Sequence, residues 1–378
     1  MNNRTTKGAG TDVKCCHAGR NVQSVPNDFF SGNKSQSMNE FCSLLSPSRY
    51  QYEVCGLCVE SDIPFSLRQA AQKSIPDITF SLKALGHSTA TIYPDRRLVG
   101  QIKNGAGHPS IAVYEVDRGL VLDCHNTQRR VEFVMPRDGR WIDCYAQSET
   151  TVEDIELWLF GLVMSFILQS RGVFTLHAAA VNCRGIAVAF LGSNGYGKST
   201  LAFFFAKKGH SLITDDVLPI VEENNRLFAL PGSPSMNLWS QTLDHVGWPD
   251  HSSSKPGGAA GKHRYGIDKL GFSRNESAVP LENIYFLQPT IPDDAQPVRI
   301  DSVTAAQAMV DLLGYTRANS MIEISAQKNL LRMYSCLLSR ASLRRLTYPR
   351  GFEHLDEIYR AILQDIDCAV KETAPTSN

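Results

Sequence analysis

The run Gly192-Ser193-Asn194-Gly195-Tyr196-Gly197-Lys198-Ser199 fits the pattern G-x-x-x-x-G-K-[ST] and stands between an apolar run and a helix-forming run. Glycines at this spacing let backbone N–H groups wrap phosphate oxygens, and the N-terminus of the following helix adds a favourable dipole. Lys198 supplies a positive charge near the β and γ groups of a nucleoside triphosphate, and the Ser199 hydroxyl can ligate magnesium. A glycine turn that merely joins strand to helix has no need of a lysine and a hydroxyl in tandem. Thr200 continues the helix. ATP and Mg2+ are therefore the expected cofactors.

Sixteen residues past Ser199, an apolar strand is expected to end at Asp215-Asp216, where parallel strands present side chains at a ligand-binding edge. One carboxylate there can hold magnesium, directly or through water. The other, repelled by its neighbour, can accept the proton of an attacking hydroxyl. His177, fifteen residues before Gly192, lies near the end of the preceding strand. By itself, a histidine in an apolar run is more often a satisfied core residue than a ligand.

The elements that must position these groups follow from pattern. From Phe174 the chain reads strand, tight turn, strand, glycine loop, helix and strand, the alternation of an α/β layer fold. A helix is expected over 152–171, capped by Thr150 or Thr151 and closed by Gly172. Residues 217–221, 226–230 and 283–288 read as further strands. Helices are expected over 305–313, 326–340 and 355–365. Between Tyr50 and Ser148, short alternating runs predict a small, mainly antiparallel β domain. Cys55-Gly-Leu-Cys58 falls in its first strand pattern and reads as two packed strand cysteines. The expected division is a flexible leader over 1–46, the β domain over 47–150, the kinase core over 151–300 and a helical section over 301–378. Within the leader, Cys15-Cys16-His17 lacks the second cluster that a metal site needs. Residues 251–262 read as a mobile loop.

Composition narrows the partners. The 378 residues carry 38 Lys plus Arg and 38 Asp plus Glu, so no overall field favours nucleic acid or an anionic membrane. The most apolar run, 157–168, is too short to cross a bilayer. Ten scattered cysteines and an N-terminus without an apolar secretory core predict a soluble, cytoplasmic protein with reduced thiols.

The stretch LHAAAVNCRGIAVAFLGSNGYGKSTLAFFFAKKGHSLITDD resembles the catalytic core of the HPr kinase/phosphorylase family, including relatives that phosphorylate lasso-peptide precursors. It covers the strand histidine, the phosphate loop, the turn Lys208-Gly209-His210 and the aspartate pair, and weakens beyond Pro219. The resemblance implies the compact P-loop fold shared with phosphoenolpyruvate carboxykinases, a mixed sheet with flanking helices. It implies that His177 lies beside the phosphates and that Asp215 and Asp216 supply the catalytic base and the metal contact, with Asp215 favoured as base and Asp216 as metal ligand beside Ser199. Thr200 stands where the bacterial HPr enzymes usually have Glu, and Asn194 where Ser is common. Their glycine-rich phosphorolysis signature is not found here. The segment YEVCGLCVESDIPFSL looks like the start of the β domain in the lasso-associated kinases.

In those relatives the acceptor is a serine hydroxyl of a precursor peptide, so the expected partner is a peptide or small protein. Lys262-His-Arg264-Tyr matches a basic stretch of the family, and Arg264 is a candidate phosphate or acceptor ligand. HPr enzymes commonly form hexamers, whereas the sequence leaves homo-oligomerisation open here. Two other readings stand beside a peptide kinase: a kinase for a small molecule such as free serine, and a non-catalytic ATP-sensing module.

Overall fold

A computed structural model describes residues 49–373 except 73, 86–87, 104–108, 126–128, 246–261, 291–296 and 317–323. The leader, with Cys15-Cys16-His17, and nearly all of the expected loop over 251–262 lie outside the described residues.

Strands β1 (Tyr50–Val54), β2 (Leu57–Ser61), β3 (Ile78–Leu85), β4 (Arg97–Lys103), β5 (Pro109–Val116), β6 (Gly119–His125), β7 (Arg130–Met135) and β8 (Trp141–Ala146) form one eight-stranded sheet in the order β1-β2-β3-β8-β7-β6-β5-β4. Its pairs are antiparallel except β2–β3 and β3–β8. The pattern over 52–59 proves to be two strands. Cys55 and Gly56 take φ of 54° and 74°, the left-handed pair that a two-residue hairpin turn requires. Cys55 is thus a buried turn residue rather than a strand residue, and burial pushes its thiol up to about 12.

The inner face of this sheet packs on the segment after it. Thr151 caps a helix over Val152–Trp158 through a reciprocal capping box with Asp154. The helix continues through a π turn at Leu159–Val163 into Met164–Ser170. Ile155, Leu159, Phe160, Val163 and Ile167 share one core with Tyr52, Phe65, Phe80, Phe133 and Ile142. From Leu159 to Leu168 the segment is mostly apolar on every side because it is buried on every side.

The second sheet is built from β9 (Phe174–Cys183), β10 (Ile186–Leu191), β11 (Ser211–Glu223), β12 (Arg226–Ala229), β15 (Val279–Thr290), β16 (Arg299–Ser302) and β17 (Ser342–Pro349), while β13 (Ser235–Trp239) and β14 (Lys262–Gly266) pair separately. The order is β10-β9-β11-β12-β15-β17-β16, with β10 also parallel to β15, so the pairing closes a ring through β10, β9, β11, β12 and β15. The helix Lys198–Lys207 covers one face, with Leu201 and Phe205 packed near Val188, Phe190 and Leu346. Helices Ala305–Tyr315 and Ile324–Arg340 cover the other, through Ala308, Leu312, Tyr334 and Leu337.

The molecule is therefore mixed α/β, with large multi-strand sheets and flanking helices. Two expectations change. Ser342–Pro349, in the section read as helical, is a strand parallel to β15, and its Arg344-Arg345 pair interrupts the apolar pattern that would have announced it. The strand through Asp215-Asp216 does not end there: β11 runs thirteen residues, antiparallel to β9, and carries the aspartates in its interior. Among the described residues, no helix is long and apolar enough to cross a membrane.

Candidate active site

The phosphate-loop sequence sits where its pattern requires, between β10 and the helix Lys198–Lys207. Gly195 and Gly197 take φ of 82° and 89°, conformations that cost a side-chain-bearing residue but not glycine. Lys198 is buried and folds back, its Nζ donating to the carbonyls of Gly192 at 2.7 Å and Ser193 at 3.4 Å. Tyr348 of β17 donates its hydroxyl to the carbonyl of Tyr196. Burial raises the Tyr348 phenol above its ordinary range, which keeps the proton on this donor. Tyr315 ends a helix on the opposite face; burial raises its phenol, against the opposing influence of the nearby Ser193 side chain. Tyr348, from a sequence-distant strand, thus braces the loop.

Asp216 on β11 pairs with Ala178 on β9, which pairs with Leu191 on β10, so the aspartate lies level with the residue before the loop. Asp215 is buried. One of its oxygens, Oδ1, accepts from Ser199 Oγ at 2.7 Å, and Oδ2 accepts from the backbone N–H of Asn237 at 2.8 Å. Asp216 has φ of 99°, a region that non-glycine residues occupy at a cost of about 1–3 kcal/mol. His177 Nδ1 stands 2.9 Å from Asp216 Oδ1 and 3.1 Å from its carbonyl oxygen.

Local contacts hold this kink. Thr214 Oγ1 donates to the carbonyl of Val217 at 2.6 Å, bridging the two aspartates between them. Gly232 packs against that bridge so closely that a Cβ would fall 1.9 Å from Thr214 Oγ1. Successive residues of a regular strand point to opposite faces, and the turned backbone at Asp216 departs from that regularity.

Thr200 and Arg264 are placed differently. Thr200 Oγ1 lies 3.2 Å from Thr242 Oγ1, so its hydroxyl meets the short helix Ser240–His245. Arg264, on β14, is turned into the protein. It donates to Ser233 Oγ at 3.1 Å and to the Glu156 carbonyl at 3.3 Å, and its Nε is 3.9 Å from Glu156 Oε2. Glu156 also accepts from the backbone and hydroxyl of Ser66. Burial pushes the Glu156 carboxyl up, against the opposing pull of Arg264 and of the Ser66 hydrogen bonds. The same burial lowers Arg264, against the attraction of Glu156 and then of Asp216 and Asp215. Arg264 is therefore a buried cation felt by both site aspartates.

The residues present fit magnesium beside a triphosphate, since the Ser199 hydroxyl and an Asp215 carboxylate oxygen meet at 2.7 Å where the glycine loop enters its helix. Among the described residues, no group of three or more His, Cys, Asp or Glu could hold a metal alone. A magnesium ion here would rest on Ser199, one carboxylate and phosphate oxygens, as hard-cation sites on phosphates usually do.

Of the residues named from sequence, the structure brings Ser199 onto Asp215 and His177 onto Asp216, and sets Lys198 against the loop carbonyls. Sequence reasoning missed Thr214, Gly232, Asn237, Tyr315 and Tyr348. Of these, only Gly232, in the turn-like Pro231-Gly232, carried a local signal.

Comparisons with known proteins match the chain over a limited span. No family model matches the chain. Over 72 residues, 19% of this chain and 23% of the relative, it is 38% identical to the HPr kinase/phosphorylase of Clostridium botulinum (strain Eklund 17B / Type B). Over 71 residues, 18% of this chain and 22% of the relative, it is 37% identical to the HPr kinase/phosphorylase of Listeria welshimeri serovar 6b. The chain thus spans less than a quarter of the length of these curated relatives. The solved HPr(Ser) kinase/phosphatase from Coxiella burnetii is 14% identical, with a TM-score of 0.29, covering 52% of this chain and 98% of that one. A likeness that slight decides nothing about the fold.

Proposed function

We propose that this protein is an ATP- and magnesium-dependent kinase that transfers the γ-phosphoryl group to a serine hydroxyl of a peptide or small protein, of the lasso-precursor type. The fold assigned with it is the HPr kinase/phosphoenolpyruvate carboxykinase-like P-loop fold. The observation that carries the reading is the bond from Ser199, the hydroxyl of the phosphate loop, to Asp215. It joins the loop to a carboxylate pair that triphosphate binding alone would not need. The partial identity to HPr kinase/phosphorylases supports the same class.

In this reading the glycine loop and Lys198 hold the phosphates, and Lys198 exchanges its two carbonyl contacts for phosphate oxygens. Magnesium, when bound, neutralises charge on the transferring group. The geometry leads us to exchange the roles favoured from sequence. Asp215, bonded to Ser199, stands on the metal side, and Asp216, held by His177, accepts the proton of the attacking serine. Arg264 is assigned an indirect role, balancing the charge of the pair from its buried position.

The test is mass spectrometry after incubation with magnesium-ATP and a panel of serine-containing peptides, HPr and free serine. A phosphoryl gain on a peptide or on HPr supports the reading. A gain on free serine alone moves the activity to a small-molecule kinase, and no gain on any acceptor overturns catalysis.

A further inference from the structure

The registers of five strand pairs place Asp216, Ala178, Leu191, Phe286, Arg345 and Asp301 in one row, on β11, β9, β10, β15, β17 and β16 in turn. Leu191, inside this row, is the residue before the phosphate loop. Neighbouring strands are about 4.8 Å apart, so the aspartates stand roughly 10 Å to one side of the loop and Arg345 roughly 10 Å to the other.

On the Arg345 side the structure opens into a cavity of about 610 Å³, walled in part by Gln288, Arg299, Asp301, Gln307, Arg345 and Thr347. That volume lies within the range of small-molecule sites, about 300–1,000 Å³. The cavity is tied to the loop at two points. Gln288 follows Leu287, which packs so closely on Gly192 that a Cβ there would meet it at 3.1 Å. The helix Ala305–Tyr315 also runs between them, with Gln307 in the cavity wall and Tyr315, at its far end, near Ser193. Eight residues of helix separate those contacts, roughly 12 Å.

We infer that this cavity receives the nucleoside of the triphosphate whose phosphates lie on the loop. The inference rests on the phosphate-loop reading and assigns the part of the ligand that the loop pattern does not address. The transferring group must face Asp215 and Asp216, so the acceptor approaches from the β11 side. The nucleoside leaves the loop in the opposite direction, across β15 and β17, at the carboxyl ends of parallel strands where ligands collect.

The walls suit a nucleoside. The Gln288 carboxamide offers a donor and an acceptor to a base edge. The oxygen of Gln307 is engaged in capping Thr304, which leaves its NH2 as a donor. Arg345 is fixed by Asp311 at 2.8 Å and presents a planar cation on which a base can stack. The Asp301 carboxylate, paired with Arg299 at 2.7 Å, retains acceptor capacity for ribose hydroxyls.

The experiment is calorimetric titration of the full chain with magnesium-ATP and, separately, with magnesium-tripolyphosphate, which offers the loop its phosphates without a nucleoside. Gln288→Trp and Arg299→Trp replace exposed side chains of the cavity wall and place an indole in it. The wild type is expected to prefer ATP over tripolyphosphate by about ten-fold or more in Kd. Each tryptophan variant should lose most of that preference while keeping its affinity for tripolyphosphate. Retention of the full preference in both variants overturns the assignment, and so does an equal weakening of both ligands. If the variants retain it but raise KM for a peptide acceptor, the cavity belongs to the acceptor instead. Lys198→Ala separates the two levels: ATP affinity unchanged by that substitution overturns the phosphate-loop reading itself, whereas a lysine-dependent site without preference for ATP overturns only the cavity.

Discussion

Nδ1 of His177 lies within hydrogen-bond reach of both the carboxylate and the carbonyl oxygen of Asp216, at 2.9 and 3.1 Å. Both partners are acceptors when Asp216 is ionised, so the imidazole carries its proton on Nδ1 and orients the carboxylate it touches. Asp216→Asn is expected to lower kcat by about 10²–10⁴-fold, the usual contribution of a positioned base, with ATP affinity within a few-fold of wild type. His177→Asn should lower kcat less and shift its pH profile. Full activity in the Asp216 variant, measured by phosphate transfer to an acceptor, would remove Asp216 from the chemistry.

Ser199 and Asp215 touch, so their substitutions should not add. Asp215→Asn and Ser199→Ala are each expected to raise the magnesium concentration for half-maximal activity. The double variant should fall short of the product of the two effects, because contacting residues couple by about 0.5–3 kcal/mol. Magnesium titrations of all four proteins give the coupling directly, and independent effects would place the metal elsewhere.

Lys198→Ala should weaken nucleotide binding and abolish transfer, since the lysine is the charge of the loop. Two of its partners are carbonyls of the loop itself, at Gly192 and Ser193. Fluorescent-nucleotide binding together with a thermal melt separates loss of ligand from loss of structure.

Arg264→Met leaves Glu156 buried with the backbone N–H and hydroxyl of Ser66 as donors but without its cation. Breaking a buried pair in this way costs about 3–5 kcal/mol, and Glu156→Gln, which removes the charge and keeps the shape, should cost less. Urea denaturation of both variants tests the order. If Arg264→Met is the more stable of the two, the pair does not hold the site as described.

His210 gives a pH signature. Burial first, and Arg184 second, hold its imidazole below the ordinary value of 6.5. The unfolded chain therefore takes up the proton before the folded one does. The stability this residue contributes is complete above 6.5 and falls as pH drops toward the folded value. The difference in urea midpoint between wild type and His210→Gln should shrink from about pH 7.5 to about pH 5.5. A constant difference would show that the ring titrates normally.

The parts of this site that sequence announces are those whose chemistry is local. Strand, glycine loop, lysine and hydroxyl are contiguous, so the strand–loop–helix geometry of residues 192–199 could be read directly. The supports could not. Tyr348 reaches the loop from a strand whose apolar pattern is broken by two arginines. Asn237 contributes only a backbone N–H, which any residue but proline would offer. The aspartate pair was legible as a pair, yet its setting was not: the short apolar run in 211–214 suggests a strand ending at a carboxylate edge, whereas the strand continues and is kinked by contacts from Thr214 and Gly232. Likewise the hairpin at Cys55-Gly56 hides in a run of strand-forming residues because its turn takes only two positions.

The backbone at Asp216 also bears on how this protein should be engineered. A φ of 99° is comfortable only for glycine. Replacing Asp216 with glycine is expected to recover on the order of 1 kcal/mol of strain while deleting the carboxylate. Directed evolution for thermal tolerance, or design guided by sequence statistics of the backbone, would drift toward that exchange and return a sturdier protein without the base that the proposed mechanism assigns to this position. Any library built on this scaffold therefore needs position 216 held fixed, or a turnover screen run beside the heat challenge.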